Sequence, residues 1–277
     1  MIRGFQFSTS KLPAAMKNFS MLLLPLMLLS AMNIHAAVRT QVIEYTLRGQ
    51  TFEGYLAYDD AITGRRPGVL VVHDWNGLND YAKRRAEQLA ELGYAAFAVD
   101  MYGKGNRAQN SQEAGRLAGA VRADRPMMRA RINAALETLK KQDMVDPNRM
   151  AGMGYCFGGG VALELARSGA PVLGVISFHG NLDTPDPKDA ANIKGKVLVL
   201  HGADDPNVPP AQVKAFEEEM RQAKVDWQMV HYGNAVHSFT NPSAGNDNSK
   251  GSAYNAKADA RSWVAMKDFF AEIFAGK

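Results

Sequence analysis

The chain is poor in several things. Cys156 is its single cysteine, so no disulfide can form within the 277 residues. Excess charge of one sign is also scarce. The formal net charge is +4, yet residues 1–36 contain Arg3, Lys11 and Lys17 and no acid. Removing those three from the 32 basic side chains leaves near balance with the 28 acidic ones. That balance excludes the electrostatic footprint of a nucleic-acid binder or of a protein held on an anionic membrane. No pair of histidines has metal-ligand spacing, and no glycine-rich phosphate loop opens a helix after the first strand. Neither a metal nor a nucleotide cofactor is expected. Linkers, internal repeats and low-complexity tracts are missing from residues 38–277, which points to one domain.

Long apolar runs are missing too, with one exception. "MLLLPLMLLSAM" (21–32) is too short to be a good membrane span and is broken by Pro25. Lys17 precedes it and the small residues of "NIHAAV" follow, the pattern of a secretory signal peptide. Ile34 and Ala36 take the specificity positions, with cleavage before Ala37. Residues 1–36 are therefore expected to be removed, with Met16 as an alternative start, and 37–277 to form the exported domain, periplasmic or secreted. No stable membrane association is expected after cleavage, an uncleaved tether being the alternative. In an oxidising compartment a lone cysteine is either buried and inert or kept for chemistry.

What is present is an alternation of strands and helices. "QVIEYTL" (41–47) and "TFEGYLAY" (51–58) read as an antiparallel pair turning at Gly49. "PGVLVVH" (67–73), "YAAFAVD" (94–100), "MAGMGYC" (150–156), "VLGVISFHG" (172–180), "KVLVLHG" (196–202) and "VDWQMVHY" (225–232) read as strands. Helices are predicted over 81–92, 126–142, 161–169, 210–223 and 253–274, with "DPNR" (146–149) as a turn. Such alternation implies an α/β fold with a mostly parallel, doubly wound sheet.

"GYCFGGG" (154–160) places Cys156 after a strand and before a helix, flanked two residues away by Gly154 and Gly158. This is the context of a strand-turn-helix elbow that aims a nucleophile outward at the carboxyl edge of the sheet. The helix amides nearby favour thiolate over thiol. Taken alone, the stretch also fits a glycine-rich packing loop with Cys156 as a small core residue. A nucleophile needs a histidine base oriented by a carboxylate, in the chain order nucleophile, acid, histidine. "HGADDPNVP" (201–209) offers Asp204 and Asp205 after one strand, and "YGNAVHSF" (232–239) offers His237 after the next. His73, His201 and His231 read as structural strand residues. His179, at a strand end, is either structural or part of the pocket.

At this point the chain resembles the dienelactone hydrolases of the α/β-hydrolase superfamily. The resemblance rests on "VVHDWNGL" (71–78), "DMYGKG" (100–105), "DPNRMAGMGYCFGGG" (146–160), "HGADDPNVP" and "HSFTNP" (237–242). It implies an α/β-hydrolase fold with Cys156 as nucleophile, His237 as base and Asp205 as orienting acid, Asp204 being a solvated neighbour. It also implies an oxyanion hole from the Phe157 and Trp75 amides. Asp74 stands where the family has a glutamate. Tyr102, Lys104 and Asn241 fall on the substrate pocket, the last two in place of two arginines that grip a substrate carboxylate, with Arg125 as a substitute. Loss of that grip leads us to expect a preference for neutral esters or lactones. No cofactor is implied, and the partner is a small-molecule ester or lactone. Two rivals are a thiol redox or peroxide-reducing protein working through Cys156 and a binding member of the fold without activity.

Overall fold

The computed structural model describes residues 38–275, together with Met1, Gly4 and Gln6. The expected signal peptide lies outside the described residues. Among those described, no helix is long and apolar enough to cross a membrane.

Among the described residues, eight strands form one sheet. They are β1 (Val38–Leu47), β2 (Gln50–Asp59), β3 (Arg66–Val72), β4 (Ala95–Val99), β5 (Val145–Tyr155), β6 (Gly174–Phe178), β7 (Lys196–Gly202) and β8 (Trp227–Tyr232), in the spatial order β1-β2-β4-β3-β5-β6-β7-β8. The β1–β2 and β2–β4 pairs are antiparallel, and every other pair is parallel. The β1–β2 hairpin turns through Arg48 and Gly49, at φ 49° and 81°, the paired left-handed conformations that suit the twist of the flanking strands.

Among the described residues, six α-helices cover the sheet: α1 (Asp80–Glu91), α2 (Ser111–Ala123), α3 (Arg125–Lys140), α4 (Phe157–Arg167), α5 (Pro210–Gln222) and α6 (Ala256–Phe274). The period of two in each strand sorts side chains onto two cores. Leu70, Val72, Phe97 and Val99 pack with α2, α3, α4 and α5 through Val121, Ile132, Leu165 and Phe216. Val69, Val71, Ala96 and Ala98 pack with α1 and α6 through Leu89, Met266 and Phe270. A sheet buried on both faces explains why β3 and β4 read as unbroken apolar runs. Together these features make an α/β-hydrolase fold, a mostly parallel doubly wound sheet flanked by helices.

Two local readings need correction. "DPNR" is not a turn before a strand but a bulge inside β5. Pro67 pairs with Asp146 and Gly68 with Met150, so three residues loop out, and Asp146 Oδ1 accepts from the Asn148 amide at 3.0 Å. Helix α2 has no counterpart among the predicted helices. It buries only Ala114, Ala118 and Val121 and carries Gly115 and Gly119, so its apolar stripe is faint. Its start was nonetheless marked: Asn110 Oδ1 accepts from the Glu113 amide at 2.9 Å, and Glu113 reaches back to the Gln109 amide at 2.8 Å.

Candidate active site

Cys156 sits between β5 and α4 with φ 54° and ψ −117°, a region a non-glycine residue rarely occupies and one that costs about 1–3 kcal/mol. The turn is this tight because its flanks have no side chains. A Cβ on Gly154 would collide with the Gly158 carbonyl, and one on Gly158 with the carbonyls of Val72 and His73. The Cys156 amide donates to the Phe178 carbonyl at 3.0 Å and to His179 Nδ1 at 3.2 Å. Cys156 is 9% exposed.

The loops after β7 and β8 bring an acid and an imidazole together beside it. Asp205 Oδ2 accepts from His237 Nδ1 at 2.8 Å, with both side chains buried. The other carboxylate oxygen of Asp205 accepts from the Asn207 amide at 2.8 Å, which aims the group. Asp204 is exposed. Its backbone amide bonds the Ala235 carbonyl at 3.0 Å, so it fastens the two loops together through its main chain. Burial works against a charged His237. The Cys156 sulfur and the Asp205 carboxylate outweigh it and push the imidazolium pKa up to about 10.

Two backbone amides near Cys156 are left without acceptors. Among the described residues, neither the Phe157 nor the Trp75 backbone N–H makes a hydrogen bond. Phe157 is the first residue of α4, where the amide has no intrahelical partner. The Trp75 loop is shaped from behind. Its carbonyl accepts from the Tyr102 hydroxyl at 2.9 Å, and Asp74 Oδ1 accepts from the Asn76 amide at 2.8 Å. Burial, then the neighbouring Cys156 and Asp74, raise the Tyr102 phenol above its ordinary range, so it stays a donor. Tyr102 also lies against the Phe157 ring, at 5.6 Å between centroids.

A wide groove of about 1190 Å³ lies elsewhere, at the amino-terminal edge of the sheet, lined among others by Arg149, Lys196 and Phe274. No cysteine or histidine lines it.

The dienelactone hydrolase family matches residues 52–274. The chain belongs to that family. The structure titled m3DLH is 44% identical, with a TM-score of 0.83 over 86% of this chain and 99% of the other. A dienelactone hydrolase-like promiscuous phosphotriesterase from metagenomic libraries is also 44% identical, with a TM-score of 0.82 and the same coverage. An uncharacterized protein of Caenorhabditis elegans is 36% identical over 151 residues, covering 53% of this chain and 95% of its own length. This dienelactone hydrolase family member is accordingly an ester or lactone hydrolase.

Two pocket positions that the family resemblance implied have their side chains engaged by local partners. The Lys104 ammonium is ion-paired to Glu44 and lies 3.9 Å from Glu53, held on the outer β1–β2 hairpin by opposite charge. The Asn241 side chain accepts from the Ser243 amide at 3.0 Å and caps its own turn. Asp74 is committed to its loop by Asn76 and, at 3.4 Å, by the Asn79 amide group. Arg125 pairs with Asp183 at 2.6 Å. The guanidinium that does approach is Arg122, on the unforeseen α2. It lies 5.6 Å from the Phe157 ring centre and donates to Asn181 Oδ1 at 2.6 Å. Among the described residues it has no ion-pair partner. Sequence gave no signal for it, because the helix that carries it was not predicted.

His179 is the other residue that sequence left undecided. It is 2% exposed at φ 39°, and its ring stands edge-on to that of His237, 5.3 Å between centroids. His73 and His201 are buried. His73 Nε2 accepts from the Met101 amide at 3.2 Å, and the His201 ring packs on His231 at 5.2 Å. Both serve the strands they stand on.

Proposed function

We propose that this protein hydrolyses small ester or lactone bonds through a Cys156–His237–Asp205 triad. The observation that carries the reading is the 2.8 Å bond from His237 to a buried Asp205, beside a cysteine held on a strained elbow. The sulfur attacks the substrate carbonyl, and the oxyanion forms against the Phe157 and Trp75 amides. Each such donor contributes on the order of 3 kcal/mol to the transition state. His237, whose pKa Cys156 and Asp205 raise, gives its proton to the departing alkoxide, leaving a thioester on Cys156. Acylation removes the negative charge from sulfur, and with it part of what held the proton on His237. The neutral imidazole then takes a proton from water as the water attacks the thioester. The acid leaves, and the thiolate and imidazolium are restored.

The substrate is small and needs no cofactor in this sequence of steps. Residues 1–36 are removed on export, so the enzyme acts in the periplasm or outside the cell. Two measurements test the proposal. A panel of chromogenic short-chain esters and a peroxide, run on wild type and Cys156→Ala, should show ester turnover lost in the variant and no peroxide reduction in either. Cysteine-dependent peroxide reduction without esterase activity would replace the hydrolase reading. Intact mass of the exported protein should place its first residue at or near Ala37, and retention of residues 1–36 on soluble exported protein would refute the processing.

A further inference from the structure

The elbow and the histidine loop are separate pieces of chain, one after β5 and one after β8, and β6 and β7 lie between them in the sheet. An attack geometry good to a fraction of an ångström needs something to hold the two together. One side chain reaches both. His179, at the end of β6, accepts the Cys156 amide on Nδ1 at 3.2 Å, and its Nε2 lies 2.7 Å from Thr240 Oγ1, three residues beyond His237. We infer that His179 is a positioning residue, a buried neutral strut that spans from the nucleophile's backbone to the base's loop and sets the distance between Cys156 and His237. This rests on the triad reading above.

The hydrogen-bond directions follow from the partners. A backbone N–H can only donate, so Nδ1 is the bare nitrogen of His179 and Nε2 carries the proton, donated to Thr240. Thr240 in turn bonds Tyr81 through its hydroxyl at 2.7 Å. Its carbonyl accepts from Tyr81 at 3.2 Å and from Arg85 at 2.9 Å. Arg85 is anchored to Asp259 at 2.6 Å. The strut therefore ends on a fixed point of α1 and α6. Its other end is fixed as well, because the His179 amide donates to the Leu200 carbonyl of β7 at 2.8 Å. Thr240 is fully buried, and among the described residues no other side chain bonds His179.

Neutrality is part of the role. Burial, and then the neighbouring His237 and Arg85, hold the His179 pKa well below the ordinary imidazole value. A second proton would sit on Nδ1 and remove the acceptor for the Cys156 amide. The backbone at 179 is left-handed, a conformation uncommon for residues other than glycine. Asparagine tolerates it better and keeps an acceptor near the Nδ1 position, but is too short to reach Thr240.

Turnover of 4-nitrophenyl acetate by folded enzyme tests the strut. Thr240→Val cuts the far bond while leaving the Thr240 carbonyl to Tyr81 and Arg85. It should lower kcat about tenfold or more with KM within about twofold, since misplacement acts on the transition state. Thr240→Ser restores the oxygen and should restore kcat. His179→Asn should match Thr240→Val, and the double variant should be no worse than the poorer single one, because both cut one link. Should His179→Asn not fold, the Thr240 pair carries the test alone. A Thr240→Val enzyme with unchanged kcat and only a lower melting temperature would overturn the inference, leaving His179 a purely structural residue. Cys156→Ala runs alongside. Residual turnover there would remove the triad reading itself, whereas a dead Cys156→Ala beside a fully active Thr240→Val removes only the strut.

Discussion

The two edges of the sheet differ in kind. At the carboxyl-terminal edge, Cys156, Asp205 and His237 are each less than a tenth exposed. Four non-glycine residues on the loops there hold positive φ: Cys156 at 54°, His179 at 39°, Asn234 at 60° and Ser238 at 58°. At the amino-terminal edge lies the groove of about 1190 Å³, where ion pairs stand in solvent. Lys196 there is 38% exposed and bonds Asp226 at 2.7 Å. Volume alone does not locate reactivity. Burial of paired titratable groups does, because surrounding structure must hold them in an unfavourable state.

The sharpest way to break this contrast is one substitution at each edge. Cys156→Ala should abolish hydrolysis of a short-chain ester, a loss on the order of 10⁴-fold or more. Lys196→Ala should leave kcat/KM within about twofold, as exposed ion pairs contribute little. Equal losses would mean the groove takes part. Within the carboxyl edge, Asp205→Ala should cost roughly 10³–10⁴-fold in kcat, while the exposed Asp204→Ala stays within about threefold. The reverse ranking would move the acid to Asp204.

Strain gives a smaller effect, read as stability. Gly154→Ala forces a Cβ into the Gly158 carbonyl and should cost more than about 3 kcal/mol or prevent folding. Gly115→Ala in α2, where a Cβ meets nothing within 4 Å, should instead stabilise by about 0.5–1 kcal/mol. Denaturant melts of both variants decide it. Substrate charge sharpens the comparison further. With Lys104 and Asn241 both engaged elsewhere, a neutral lactone should exceed its carboxylate-bearing match in kcat/KM by roughly tenfold. A clear preference for the acid would show that Arg122 grips it.

The pH dependence carries a definite sign. The folded-state pKa of His237, about 10, lies above the ordinary 6.5, with burial opposing and Cys156 and Asp205 raising it. The folded chain therefore binds that proton more tightly than the unfolded chain does. The stability so gained is complete below pH 6.5 and is lost as pH rises through about 10. Unfolding free energy measured from pH 6 to 11 should fall more for wild type than for His237→Ala, and Cys156→Ala should lower the His237 pKa. Parallel stability curves for wild type and His237→Ala would contradict the shift.

Much of the frame was legible in the residues. The parallel strands announced themselves as apolar runs because both of their faces are buried, and Gly154 and Gly158 marked the elbow because nothing larger fits. α2 was hidden because Gly115, Gly119 and a stripe of alanines give it little apolar contrast. The β5 bulge was hidden because "DPNR" has turn chemistry wherever it stands. At the site, spacing put an acid and a histidine after successive strands but left two aspartates open, and only resemblance chose between them. Positions assigned by resemblance alone, Lys104 and Asn241, were drawn off by local partners that the family pattern does not encode.

The sequence by itself determined the alternation of elements, the elbow and the reactive residue types, since these depend on neighbours a few positions away. Tertiary structure alone decided which carboxylate meets His237, that Lys104 turns to Glu44, that Arg122 stands over Phe157, and that His179 joins Cys156 to Thr240. Those contacts join residues as far as 61 positions apart. The contacts of His237 and His179 exist because parallel pairing sets β5, β6, β7 and β8 side by side, so that the loops at their carboxyl ends converge whatever their separation along the chain.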